Sequence, residues 1–179
     1  LNDIIEAIEN KHVLSFTLNS YWDEATKRKC APIAIKEAMK RFYLIAYDFD
    51  KKAIRNYGLD RISNFRVLDE KFSPGAYDVD KMYQHAFGIE NYDDPVNVVL
   101  QFDNTQFNYL TSLPLHHSQK IIKEEADTFT INLFVHPTHE LKMEILKFGD
   151  YCEVLEPDFY REELKNTVNN LYKKYKKNL

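Results

Sequence analysis

Between His12 and Leu68 five short segments rich in aromatic and β-branched residues follow one another with only brief polar connections: His12 to Asn19, Lys27 to Ile35, Arg41 to Asp48, Ala53 to Leu59 and Arg61 to Leu68. Runs of this kind predict strands. Five consecutive strands with no room for helices between them predict a small closed β-barrel. A short amphipathic helix precedes them over Asn2 to Asn10, with Ile4, Ile5 and Ile8 on one face and Asp3 and Glu6 near its positive end.

The pattern changes further along. Ser73-Pro74-Gly75 is a breaker, and Val79 to Phe87 reads as a short helix leading into Glu90-Asn91-Tyr92-Asp93-Asp94-Pro95. This divides the chain into a barrel over residues 1–72, a helical linker over 73–95 and a second domain over 96–179. In the second domain Val96, Val98, Leu100 and Phe102 share one face of a strand. A helix follows over Thr105 to Leu113, with Phe107 and Leu110 inward and Asp103 or Asn104 as cap. Gln119 to Lys123 and Thr128 to Val135 pair as strands. Thr138 is placed to cap a helix carrying Leu141, Ile145 and Phe148, which ends at Gly149, and Tyr151 to Leu155 is a last strand. Strand, helix, strand, strand, helix, strand is the split βαβ order of a ferredoxin-like sandwich, so the class is α+β. An extra C-terminal helix begins near Pro157 and is expected to bury Leu164, Val168, Leu171 and Tyr175; acids lie at its start and Lys173, Lys174, Lys176 and Lys177 at its end.

Composition removes several function classes. The four glycines, Gly58, Gly75, Gly88 and Gly149, lie too far apart for a phosphate-cradling loop. Cys30 and Cys152 stand alone, which argues against a zinc knuckle or a disulfide framework and reads as buried thiols in a reducing cytoplasm. Apolar runs fall short of the roughly 20 residues that span a bilayer, so no membrane contact is expected. The net charge of −4 has its whole deficit after residue 92, which leaves no bulk basic excess for clamping duplex DNA. His116-His117 and His136-Pro137-Thr138-His139 are the best candidates for metal ligands or acid–base groups. No cysteine or carboxylate cluster completes a set around them. No catalytic residue, metal or cofactor is assigned, and the chain is not expected to be an enzyme.

Pro32 sits in the second strand, and then come Arg41-Phe42-Tyr43-Leu44-Ile45-Ala46-Tyr47-Asp48 and Arg55-Asn56-Tyr57-Gly58-Leu59-Asp60-Arg61-Ile62. This stretch resembles the WYL domain family of bacterial transcriptional regulators, with Phe42 in the Trp position and Tyr43 and Leu44 matching. His116 to Lys120 and Phe148 to Pro157 resemble the C-terminal extension domain that follows it. The resemblance implies an Sm-like or SH3-like barrel, which agrees with the five strands read above. It implies a sensory portion of a regulator, with a helix-turn-helix domain upstream in the full-length protein, or else a stand-alone relative. A homodimer is expected, its shared face on Thr138 to Phe148 or the last helix.

By the same resemblance Arg28, Tyr43, Arg55 and Arg61 match positions of basic and aromatic ligand contacts, and Tyr57 shares the Arg55 face. Alternation puts Tyr43, Ile45 and Tyr47 on one side of the third strand and Phe42, Leu44 and Ala46 on the other. One face builds the core. The other presents rings and guanidinium groups suited to an anionic effector, a nucleotide or single-stranded nucleic acid. Tyr43 reads equally as a core aromatic, and Arg61 as an ion-pair partner of Asp60. Arg55, in mid-strand, is the first choice for the ligand. A first-strand Tyr common in the family is replaced by Leu18, with Ser20 or Tyr21 as substitutes. The competing reading is a structural, dimerising module without a ligand.

Overall fold

The computed structural model describes residues 1–72 and 75–176, so Ser73 and Pro74 of the expected breaker and Lys177 of the lysine cluster lie outside the described residues. The chain divides into two units, Leu1–Met82 and Tyr83–Leu179.

In the first unit α1 (Asn2–Glu9) leads into β1 (His12–Leu18), β2 (Thr26–Ala38), β3 (Arg41–Asp48), β4 (Ala53–Gly58), a 3-10 turn (Leu59–Arg61) and β5 (Ile62–Lys71). The strands form one antiparallel sheet in the order β4-β3-β2-β1-β5. Pro32 has no N–H to give a ladder, and the β2–β3 register slips between Pro32 and Ala34. The hairpin then closes through Met39 (φ 50°) and Lys40 (φ 62°). Left-handed backbone at both central residues is the twist-matched two-residue turn, reached here without the usual Asn-Gly.

Leu14, Phe16, Cys30, Leu44, Ala46 and Tyr57 gather on one face of this sheet and are covered by Ile4 and Ala7 of α1. Phe16 meets the Tyr57 ring edge-on at 5.2 Å. Ile4, Ala7 and Ile8 carry the buried side of the helix, whereas Ile5 turns outward, contrary to expectation. Helical spacing explains the change: three and four residues separate Ile4 from Ala7 and Ile8, which leaves Ile5 about a quarter-turn away.

The short helix α2 (Val79–Tyr83) ends four residues before the expected Phe87. From Tyr83 onward the stretch read as linker belongs to the second unit. Tyr83, Ala86 and Ile89 are buried there, and the Glu140 carboxylate accepts the N–H groups of Ile89 (2.8 Å) and Glu90 (2.9 Å).

The second unit runs β6 (Val96–Asp103), a 3-10 turn (Asn104–Gln106), α3 (Phe107–Ser112), β7 (Lys120–Glu124), β8 (Thr128–Val135), α4 (His139–Lys147), a 3-10 turn (Gly149–Tyr151), β9 (Cys152–Glu156) and α5 (Asp158–Lys176). Its sheet is antiparallel in the order β7-β8-β6-β9, with the expected alternation of strands and helices. Val98, Leu100 and Phe102 of β6 and Phe129, Ile131 and Leu133 of β8 supply one apolar face, onto which Leu110, Leu141, Ile145, Tyr160 and Leu164 pack. Each such side chain contributes about 1.5–3 kcal/mol on leaving water.

Helix ends follow the sequence in part. Asp103 accepts the Thr105 N–H at 2.8 Å, and Gly149 takes the left-handed conformation (φ 59°) that ends α4. Thr138 stands at the N-cap of α4 without capping it: its hydroxyl is buried and has no partner among the described residues, while its carbonyl accepts the Tyr160 hydroxyl at 3.1 Å. The expected stripe on α5 is buried only at Leu164, with Val168, Leu171 and Tyr175 exposed. Length gives the reason. A helix of 19 residues extends about 28 Å whereas the five residues of β9 cover about 17 Å, so the last turns outrun the strand beside them.

Candidate anion-binding site

Strand register sorts the residues proposed for ligand contact. Across β3 and β4, Leu44 faces Tyr57, Ala46 faces Arg55 and Tyr43 faces Gly58. Arg55 and Tyr57 therefore share the core-building face with Leu44 and Ala46, and Tyr43 lies on the opposite one. On the core face Arg28 is paired with Phe16 across β1 and β2.

The core-face group centres on Asp48, which is fully buried. Its carboxylate takes a short hydrogen bond from the Tyr57 hydroxyl and accepts the N–H groups of Asp50 and Lys51 at 2.8 Å each. Burial by itself raises the Asp48 pKa. The Tyr57 hydroxyl, the two N–H groups and the charge of Arg28 outweigh it and hold the group below the usual carboxylate range. Burial, and after it the Asp48 bond and charge, push the Tyr57 phenol far up, so it stays protonated and donates. The same burial, with Asp48 opposite it, pushes the Cys30 thiol up to about 12, the behaviour of an inert core cysteine. Tyr57 is thus committed to the core, 4% exposed with its hydroxyl engaged. Arg55 is exposed at the end of this face and forms no ion pair among the described residues.

The second group lies on the other face, where the loop after β1 meets the turn before β5. Arg41 donates to Asp60 at 3.1 Å and to the Tyr21 hydroxyl at 3.4 Å, and that hydroxyl lies 3.4 Å from the same carboxylate. Arg61 stacks its guanidinium over the Tyr21 ring, 4.9 Å from the centroid, and its Nε donates to the Asn19 carbonyl at 2.9 Å. The ion-pair partner of Asp60 is therefore Arg41, not Arg61. Gly58 permits this crowding: a Cβ there would meet Asp60 Oδ1 at 2.7 Å and both Tyr43 and Arg61 at 3.8 Å. Asp60 pairs with Arg41, whereas Arg61 forms no ion pair among the described residues, and Lys40 and Arg41 line an adjoining groove of about 330 Å³ with Phe42, Leu59, Asp60 and Leu1. The arrangement offers an excess of cations beside exposed rings, the chemistry that holds a phosphate and stacks a base.

Sequence reasoning placed Tyr43 and Arg61 in this group and named Tyr21 as a substitute for the absent first-strand Tyr. It missed Arg41, whose contact with Asp60 joins residues 19 positions apart and left no local signal. The candidate histidines His116, His117, His136 and His139 stand in the second unit. His116 Nδ1 accepts the Ser118 N–H at 3.2 Å, and His117 Nε2 donates to the Gln84 carbonyl at 2.6 Å. Among the described residues no group of three or more His, Cys, Asp or Glu side chains is placed to hold a metal ion, and no helix is long and apolar enough to cross a membrane.

A family model of the WYL domain matches residues 1–67, and one of the WCX domain matches residues 94–172. No curated protein matches the chain. Among solved structures, a CRISPR Cas-related protein is 16% identical over 99% of this chain and 51% of its own, with a TM-score of 0.63. Proteasome accessory factor B/C (PafBC) of Arthrobacter aurescens is 18% identical over 94% of this chain and 26% of its own, with a TM-score of 0.39. This chain therefore spans about half of the first structure and about a quarter of the second, and the first likeness is one of fold.

Proposed function

The chain belongs to the WYL domain family, its WYL domain followed by a WCX domain, and from this premise we propose that it is the effector-sensing portion of a WYL-type transcriptional regulator. The ligand is anionic, a nucleotide or short nucleic acid, and its binding is relayed to an upstream DNA-binding domain in the cytoplasm. The role is binding, not catalysis. In this reading the five-stranded sheet is an Sm-like barrel, and the β7-β8-β6-β9 order is that of a ferredoxin-like domain.

The observation that carries the proposal is the meeting of Arg41, which is paired with Asp60, and Arg61 at the Tyr21 side chain, beside Lys40 and the exposed Phe42. Tyr43 supports this group. Arg55 offers a further cation on the other face, and Arg28 and Tyr57 act by holding Asp48. The test is fluorescence anisotropy with a short labelled oligothymidylate over a salt series. Arg41→Ala with Arg61→Ala is expected to weaken binding about tenfold or more and to flatten the salt dependence. If only Arg55→Ala weakens it, the ligand lies on the core face; if neither does, the reading fails.

One observation favours a dimerising role in addition. Val168, Leu171 and Tyr175 recur at helical spacing on α5 and are exposed, an apolar stripe of the kind that self-association covers.

A further inference from the structure

The sheet of the first unit carries a second cationic groove. It encloses about 310 Å³ and is lined by Ser15, Phe16, Thr17, Lys27, Asn64 and Arg66, with no acidic side chain among them. Register explains how these residues meet. Thr17 is opposite Lys27 on one side of β1, and Ser15 is opposite Arg66 on the other. Ser15, Thr17, Lys27 and Arg66 therefore project from one face, away from the core residues Leu14 and Phe16.

A bulge shapes the groove. While β1 advances from Ser15 to Thr17, β5 runs from Ser63 to Arg66, so the extra residue falls at Asn64-Phe65. Asn64 takes the left-handed conformation (φ 50°) that Asn tolerates better than most residues, and its amide donates to Thr17 Oγ1 at 3.3 Å. Phe65 turns in against the core. Neither Lys27 nor Arg66 forms an ion pair among the described residues, whereas the neighbouring Lys29 is neutralised by Glu70 at 2.5 Å. Two uncompensated cations, a Ser15 hydroxyl with no partner among the described residues and the Asn64 amide thus converge on a concave surface. Its donors match the oxygens of a phosphoryl group.

This groove adjoins the site already described. Asn19, whose carbonyl holds Arg61, also donates its amide to the Ser63 hydroxyl at 3.0 Å, and Ser63 is the partner of Thr17 in the ladder. Polar groups run without a break from Arg61 to Arg66, and the four steps from Ile62 to Arg66 cover about 13 Å of strand. One phosphoryl group cannot touch both ends.

We propose that the Lys27–Asn64–Arg66 groove is a second phosphoryl-binding site, separate from the Arg41–Arg61 group. The proposal rests on the reading of this unit as a binder of anionic ligands, and it adds a place for a second phosphate. The phosphoryl group belongs either to a free nucleotide or to the backbone of an oligonucleotide, and the two sources are separable.

Binding of a labelled oligothymidylate and of adenosine 5′-monophosphate is measured by anisotropy and calorimetry for the full chain, for Lys27→Ala with Arg66→Ala, and for Arg41→Ala with Arg61→Ala. Asn64→Gly, which keeps the left-handed backbone and removes only the amide, guards against a folding defect. The Lys27/Arg66 pair is expected to cost about tenfold in oligonucleotide affinity. It also lowers the slope of log affinity against log salt by about 0.7, the value for one phosphate of a single strand. Loss for the oligonucleotide alone assigns the groove to a backbone phosphate, and equal loss for the mononucleotide assigns it to a free one. Affinity within twofold of wild type for both ligands in the Lys27/Arg66 variant overturns the proposal, and so does a wild-type chain that binds neither. If Arg41/Arg61 substitution still weakens binding in the first case, the function proposed above stands without this groove. If only Lys27/Arg66 substitution weakens it, the groove stands and the Arg41–Arg61 site falls.

Discussion

Asp48→Ala is expected to lower the stability of the first unit by about 3 kcal/mol, measured as lost hydrogen-exchange protection of β3 and β4 amides and a fall in the urea midpoint. The alanine leaves the Tyr57 hydroxyl and the N–H groups of Asp50 and Lys51 without their acceptor, and removes the charge facing Arg28. Tyr57→Phe deletes only one bond to a charged acceptor and should cost about 2 kcal/mol. Because the Asp48 pKa is lowered on folding, the stability it supplies is fully present above the ordinary carboxylate range. It is lost as pH falls through the lowered folded value. A variant as stable as wild type at neutral pH would mean that the carboxylate does not organise this end of the sheet.

The same residue marks the limit of what could be read from the chain. Alternation within Arg41–Asp48 correctly separates Tyr43, Ile45 and Tyr47 from Leu44 and Ala46, since strand parity is a local property. Which side of β4 joins which side of β3 depends on the length and twist of the turn at 49–52, and one step of slip exchanges every partner. The sequence reading therefore left Arg55 and Tyr57 together with Tyr43, where the ladder puts Ala46 opposite Arg55 and Leu44 opposite Tyr57. Asp48, at a strand end before Phe49-Asp50, carries no local sign that it is buried.

In the second unit the apolar periods of β6, β8 and α4 were legible because one buried face dictates them. Those of α5 misled. Val168, Leu171 and Tyr175 keep the helical period of Leu164, yet periodicity reports that a face is apolar and not what lies against it. Thr138 misled likewise, for N-cap identity was readable, yet its hydroxyl is buried with no partner among the described residues and it is its carbonyl that accepts the Tyr160 hydroxyl.

The histidines, read first as weak candidates for chemistry, instead predict an acid limit for the second unit. Burial, then the neighbouring His117 and more distantly His85, push His116 down to about 4, partly opposed by the Gln84 carbonyl. Geometry agrees: Nδ1 already accepts the Ser118 N–H at 3.2 Å, and its ring lies 4.0 Å from that of His117, so a proton there would break a bond and add charge in a buried place. A histidine whose pKa falls on folding binds more protons unfolded than folded between the two values. The second unit should therefore keep its full stability above about pH 6.5 and lose on the order of 2 kcal/mol as pH falls toward 4. His116→Gln retains an acceptor for the Ser118 N–H but does not titrate, and is expected to flatten that loss. Asp48 cannot mimic this effect, because its own contribution disappears only below the ordinary carboxylate range. Urea midpoints followed by hydrogen exchange of β8 amides across this pH window separate the outcomes. An unchanged pH slope in His116→Gln, or a His116 titration by NMR near 6.5, would remove imidazole burial as the source of acid sensitivity.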